Sequence, residues 1–90
     1  MLFSLGQVVM TRGIADLVEA GQLDILPLLA RHVTGDWGDL DPEDKQANDS
    51  AVKIGERILS SYCVSPAIGN VWIITEWDRS YTTVLLPDEY

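Results

Sequence analysis

The chain has 90 residues, of which 47% are hydrophobic and 22% are charged, a composition typical of a globular domain rather than of a disordered segment. Fourteen acidic residues against six basic ones give a net charge of −8. This excludes a protein that holds nucleic acid by neutralising phosphates, since such a surface must be cationic. The length predicts a single domain over residues 1–90. The single cysteine, Cys63, excludes an internal disulfide and a multi-cysteine zinc site.

The N-terminal half begins with a short β-prone run and continues with helical patterns. The run covers Leu5 to Met10, and Thr11 then has the character of a helix N-cap. The first helix is predicted to end at Gly21, and a second to open at Asp24 and stop at Gly35.

The third helix has the clearest start signal, because Asp41 precedes Pro42 at the first helical position. Its small-residue face is predicted to comprise Ala47, Ala51 and Ile54. Beyond Gly55 the period changes to two, and the strand signals cover residues 58–64, 71–75 and 81–86.

Short links between neighbouring strands favour antiparallel pairing. The sequence therefore predicts an α+β domain in which three N-terminal helices pack on one face of a three-stranded antiparallel β-meander. The pattern leaves undecided whether a short N-terminal strand adds to that sheet.

An acidic stretch is the first candidate functional feature. It contains one basic residue, Lys45, among six carboxylates: Asp36, Asp39, Asp41, Glu43, Asp44 and Asp49. Carboxylates at a helix start are favoured by the helix dipole, which explains part of the cluster without any function. The alternative is a surface that docks onto a basic groove, where carboxylates take the place of phosphates. The spacing does not match an EF-hand calcium loop.

Three tryptophans are many for so small a domain. Trp72 alternates within a predicted strand and is expected in the core, and Trp77 at a turn is a candidate binding anchor. Trp37 is expected either to fold its loop back onto the core or to serve as the apolar anchor of the acidic surface.

An enzymatic alternative uses His32, the only histidine, with Glu76 and Arg79. A histidine general base needs an acid partner and a cation within reach, and the sequence alone does not place these residues together. Phosphate-loop, dinucleotide-binding and zinc-protease motifs are absent, so we expect no cofactor and no metal.

Three segments carry a resemblance that covers nearly the whole chain. GQVVMTRGIADLVEAG, RHVTGDWGDLDPEDKQAND and WIITEWDRSYTTVLLPDEY resemble a family of short bacterial proteins found on plasmids and integrative elements. Its members are usually named plasmid-related protein, or labelled as a type I restriction modification subunit. A restriction-modification methyltransferase needs a cofactor-binding domain far larger than 90 residues, so we set that label aside. The resemblance implies a mobile-element setting, where small acidic proteins often block host restriction or CRISPR machinery, and it brings no catalytic residues.

A weaker likeness is to ribonucleases of the barnase–colicin type, on RILSSY followed by WIITEWDRSYTTV. That likeness implies helices before an antiparallel sheet and a His or Glu with an Arg as catalytic groups. The position of His32 on a helix and the charge of −8 depart from that pattern.

These observations favour a non-enzymatic acidic protein of a mobile element that inhibits a nucleic-acid-directed defence complex, by anti-CRISPR or anti-restriction action. It would occupy a basic protein surface, with no direct contact to nucleic acid or membrane. A barnase-like ribonuclease or toxin and a structural or regulatory homodimer, paired through the edge of its sheet, remain the alternatives. The apolar start Met1–Leu5 is not preceded by basic residues, as a secretory signal would require, so we expect a cytoplasmic protein. We also expect it to be a monomer or a weak homodimer.

Overall fold

The computed structural model describes residues 1–90 and confirms an α+β fold with three helices. A strand precedes the helices, and three strands and a 3-10 turn follow them. In chain order the elements are β1 (Gln7–Met10), α1 (Arg12–Glu19), α2 (Leu26–Val33), α3 (Pro42–Ile54), β2 (Ile58–Ser65), β3 (Gly69–Thr75), β4 (Tyr81–Leu85) and the C-terminal 3-10 turn (Pro87–Glu89). No helix combines the length and the apolar character that crossing a membrane requires.

The sheet has four strands in the order β1-β4-β3-β2. β2 pairs with β3 and β3 with β4 in antiparallel fashion, whereas β1 runs parallel to β4. β2, β3 and β4 form the expected antiparallel meander, and the N-terminal strand that the sequence left open is present as β1. The prediction is wrong in detail, because β1 makes the sheet mixed and four-stranded, and the helices lie in sequence between β1 and β2. Parallel pairing needs a long crossover connection, and residues 11–80, with the three helices and the strands β2 and β3, supply it.

One face of the sheet carries the main apolar core. Alternation along the strands directs Tyr62, Val71, Ile73 and Val84 to this face, where α1 and α2 cover them. Ile14 of α1 is fully buried there. Trp72 points to the opposite face, is half-buried and meets the ring of Tyr90 edge-on at 5.7 Å, so its predicted place in this core is wrong.

A second, smaller cluster lies where α3 meets the start of β2. It is built from Trp37, Ala51 and Ile58, with Phe3 and other partly buried side chains packed around them. The Trp37 ring stacks on that of Phe3 at a centroid distance of 6.2 Å. The buried positions of α3 are Asn48 and Ala51, whereas Ala47 and Ile54 of the predicted small-residue face are exposed.

The predicted cap positions are correct, but the caps work differently from expectation. Thr11 and Asp41 precede α1 and α3, and neither side chain bonds to its helix. The carboxylate of Glu89 accepts the Gly13 N–H at 2.9 Å and the Thr11 hydroxyl at 2.5 Å, so the C-terminal turn caps α1. Asp24 accepts the N–H of Leu26 at 3.1 Å at the start of α2.

Candidate functional site

The outer edge of β2 is closed by α3 and by the loop before it. Asn48 acts like a short piece of strand, because its amide accepts the N–H of Leu59 at 3.3 Å and donates to the Leu59 carbonyl at 2.7 Å. Two residues further along, Ser61 donates its N–H to the Trp37 carbonyl and accepts the N–H of Asp39. These bonds hold residues 37–39 against the sheet and fix the geometry of the acidic stretch.

Gly38 allows this close approach. Its φ of 77° lies in the left-handed region, and a Cβ atom at this position would collide with the Ser61 carbonyl oxygen. Only glycine satisfies both conditions without strain. The GDWGDL motif is therefore explained in part by the backbone contact between the loop and β2.

Three of the six carboxylates in the acidic stretch hold the fold together. Asp36 forms a two-pronged ion pair with Arg31, at 2.6 and 3.2 Å, and the bond to this guanidinium lowers the pKa of Asp36. Asp39 accepts the N–H of Cys63 at 3.0 Å, and Asp49 accepts the indole N–H of Trp37 at 2.9 Å. These three residues have a structural explanation.

Trp37 does not present a surface anchor. Its side chain is only 3% exposed and packs in the smaller cluster against Phe3 and His32. Of the two expectations for Trp37, the structure agrees with the one in which it folds its loop onto the core.

The other three carboxylates, Asp41, Glu43 and Asp44, are exposed and make no hydrogen bond or ion pair within the molecule. They lie at the cap and in the first turn of α3, where the positive end of the helix dipole stabilises them. A pocket of about 230 Å³ opens beside Asp44. Its other lining residues are Leu40, Ala47, Asn48 and Leu59. We call these carboxylates and the pocket the acidic α3 surface.

Trp77 is 66% exposed and lies in the turn between β3 and β4, outside the acidic α3 surface. It shares the β3–β4 turn with Arg79, whose guanidinium donates to the carbonyls of Ala51 and Glu56 at the C-terminal end of α3. At about 1.5 Å per residue, the thirteen residues of α3 separate its two ends by about 20 Å. The structure therefore places the turn of Trp77 at the opposite end of α3 from Asp41, Glu43 and Asp44.

His32 lies at the centre of a buried chain of hydrogen bonds. Its Nδ1 is 2.6 Å from the Ser60 hydroxyl and its Nε2 is 2.9 Å from that of Thr75. Thr82 donates to the Leu5 carbonyl, so the Thr75 hydroxyl donates to Thr82 and accepts from Nε2–H of His32. Nδ1 of the neutral ring then accepts from Ser60, and every group in the chain is satisfied.

Burial lowers the pKa of His32 to about 4, and the positive charge of Arg79 acts in the same direction. The ring is 0% exposed, so a substrate has no access to it. Arg79 is also fully engaged, since it donates to three main-chain carbonyls, and Glu76 lies 3.7 Å from Arg57. These contacts give His32 and Arg79 structural roles, and the arrangement does not favour the ribonuclease alternative.

A groove of about 260 Å³ on the sheet face opposite α1 and α2 was not predicted from the sequence. Its floor includes Ile74 and Leu85, and Arg57 lies over the Tyr90 ring at 5.3 Å from the centroid. Seven further residues line it: Thr11, Arg57, Glu76, Tyr81, Thr83, Glu89 and Tyr90. They come from five separate parts of the chain, and only the alternation of β3 and β4 would have indicated that Ile74, Thr83 and Leu85 share a face.

No protein-family model matches the chain, and no curated protein and no solved structure is significantly similar to it. The geometry of the acidic α3 surface is therefore the basis for a functional proposal.

Proposed function

We propose that this chain is a non-enzymatic binding protein that docks its acidic α3 surface onto a surface of a partner protein lined with lysine or arginine. The observation that carries the proposal is the state of Asp41, Glu43 and Asp44. They are exposed and free of internal partners, whereas Asp36, Asp39 and Asp49 are used by the fold.

The adjacent pocket offers an apolar contact surface beside the three free carboxylates. Leu40, Ala47 and Leu59 offer apolar walls, and the carboxylate of Asp44 lies at the same pocket. A lysine or arginine of the partner would place its methylene stem against these walls and its charged end near Asp44. This pocket takes the role that the sequence analysis assigned to a tryptophan anchor.

The net charge of −8 extends the attraction beyond the contact itself. Oppositely charged surfaces steer encounter, and this effect is screened over about 8–10 Å at ordinary salt concentrations. Nucleic-acid-binding sites are strongly cationic surfaces, so they suit an acidic ligand of this kind. In the mobile-element setting that the sequence resemblance implies, the partner is a restriction or CRISPR complex, which the bound protein keeps from its nucleic acid.

The test is protection of phage in cells that carry an active type I restriction system or an active CRISPR system. Wild-type protein is expected to raise the efficiency of plating. The triple variant D41N/E43Q/D44N is expected to lose this protection, because the partner no longer meets the three free charges. The control is D16N/E19Q/E56Q, which removes the same charge at three exposed carboxylates away from the start of α3.

Protection by the control at the wild-type level, together with its loss in the α3 variant, supports the proposal. An equal loss in both variants would contradict a local surface and leave only the overall charge. No protection by the wild-type protein against either system would contradict the anti-defence function.

A further inference from the structure

The edge of β1 that faces away from β4 carries backbone groups with no hydrogen-bond partner in the molecule. Gln7 and Thr11 donate their N–H groups to the carbonyls of Ser80 and Val84, both at 3.1 Å. Because backbone groups alternate in direction along a strand, the N–H and C=O groups of Val8 and Met10 point away from β4. None of the turn, loop or side-chain hydrogen bonds of the molecule involves them.

The side chains of this edge offer no obstacle to a further strand. All four residues of β1 are exposed, and Val8 and Met10 are 37% and 44% exposed. Proteins commonly protect such edges with charged residues, prolines, bulges or a covering loop. β1 has no charge, no proline and no bulge, and its outward polar groups match the backbone of an extended chain.

The charges at the two ends of β1 indicate which chain would bind. Asp78 accepts the N–H and the hydroxyl of Ser80 at one end, and Glu89 accepts the hydroxyl of Thr11 at the other. Asp88 adds a further exposed carboxylate near the second end, where the cations are Arg12 and, across the groove, Arg57. Arg79 follows Asp78 at the first end, but its guanidinium is bonded to main-chain carbonyls of α3 and its own turn. In antiparallel pairing of two copies, the Asp78 end of one would meet the Glu89 end of the other, and each copy carries a charge of −8. Like charges oppose that dimer.

We propose that β1 binds an extended, cationic segment of a partner protein by strand addition. The segment lies antiparallel to β1, exchanges backbone hydrogen bonds with Val8 and Met10, and places lysine or arginine near both ends of the strand. This site is separate from the acidic α3 surface and does not depend on it.

The test is amide hydrogen exchange of the full chain with three synthetic peptides. The probe peptide alternates valine and threonine and has two lysines at each end. One control has glutamates in place of the lysines, and the other has a proline in place of the central residue, which removes a hydrogen-bond donor. At saturation the lysine peptide is expected to slow exchange at Val8 and Met10 by about tenfold or more. Exchange at Gln7 and Val9, which already face β4, is expected to stay unchanged.

Protection by the lysine peptide and by neither control supports the proposal. Equal protection by the glutamate peptide would overturn the cationic partner, and no protection by any peptide would overturn strand addition. Sedimentation of the free protein completes the test. A dimer in which Val8 and Met10 are protected without peptide would overturn the proposal in favour of a second copy.

Discussion

The two edge strands of the sheet, β2 and β1, differ in whether their outward backbone groups have partners. Along β2, the outward N–H groups of Leu59, Ser61 and Cys63 and the carbonyls of Leu59 and Ser61 are bonded, to Asn48 and to the loop of Trp37 and Asp39. Along β1, the outward groups of Val8 and Met10 have no partner in the molecule. The backbone groups of one margin are largely satisfied within the molecule, and those of the other are free to accept a further strand.

This difference also separates the acidic residues by role. The residues that close the β2 edge include two carboxylates, Asp39 and Asp49, whose oxygens are committed to hydrogen bonds. The carboxylates at the start of α3, namely Asp41, Glu43 and Asp44, form no hydrogen bond within the molecule. A charge run in a sequence is therefore not one functional unit, because part of it belongs to the fold and only the remainder is free to bind.

The largest expected effect is at Trp37. Replacing it by alanine empties the small cluster and removes the partner of Asp49, so we expect the free energy of unfolding to fall by about 3–5 kcal/mol. The matched control is Trp77→Ala, which removes an exposed indole and should change stability by less than about 0.5 kcal/mol. Urea denaturation checks both. Similar losses in the two variants would contradict the assignment of Trp37 to the core.

The second expectation concerns pH. Because the pKa of His32 falls from 6.5 to about 4 on folding, the unfolded chain binds a proton between these values and the folded chain does not. The contribution of the neutral His32 ring to the free energy of unfolding is therefore complete above pH 6.5, and it is lost as the pH falls toward 4. The loss by pH 4 is about 3 kcal/mol, at about 1.4 kcal/mol per pKa unit.

The control for the pH effect is His32→Gln, which has no titrating ring. Denaturant unfolding at pH 7 and at pH 4 gives the pH-dependence of each protein, and the difference between the two isolates the imidazole from the carboxylates. The wild type should lose about 3 kcal/mol more than the variant between these pH values. Equal losses would show that the ring is not buried in its neutral form.

The third expectation uses a pair of glycines with similar backbones. Gly38 has a φ of 77° and Gly21 a φ of 73°, but only at Gly38 would a Cβ atom strike the neighbouring strand. Gly21→Ala should cost about 1 kcal/mol from the left-handed backbone alone. Gly38→Ala should cost about 2 kcal/mol more, because the loop is forced off β2. Thermal or urea unfolding compares them, and equal costs would contradict the closed β2 edge.

The smallest effect is expected at the open edge. Met10→Lys places a charge on a side chain that is 44% exposed and that can extend its ammonium group into water, so the stability of the variant should stay within about 0.5 kcal/mol of the wild type. A loss above about 1 kcal/mol in the same unfolding assay would indicate that the Met10 side chain is packed and not exposed.

Much of the fold follows from local patterns. The start of α3 at Asp41 and Pro42, and the β-branched run of β3, were predicted because capping and alternation are signals within a few residues. The parallel pairing of β1 with β4 was not, since it joins residues such as Gln7 and Tyr81 that are far apart in the chain. No local pattern encodes such a partner.

The candidate site, like the fold, could be predicted from the sequence only in part. The exposure of Asp41, Glu43 and Asp44 agrees with their position at a helix start. The bonds of Asp39 to Cys63 and of Asp49 to Trp37 depend on how the loop meets β2, and the sequence alone does not indicate this contact. The burial of His32 likewise depends on hydroxyl groups from β2 and β3.

The contrast between the two edges is tested most directly by amide hydrogen exchange of the free protein under native conditions. The amides of Leu59, Ser61 and Cys63 should be protected, and those of Val8 and Met10 should exchange about a hundredfold faster or more. Comparable protection at the two edges would contradict the account.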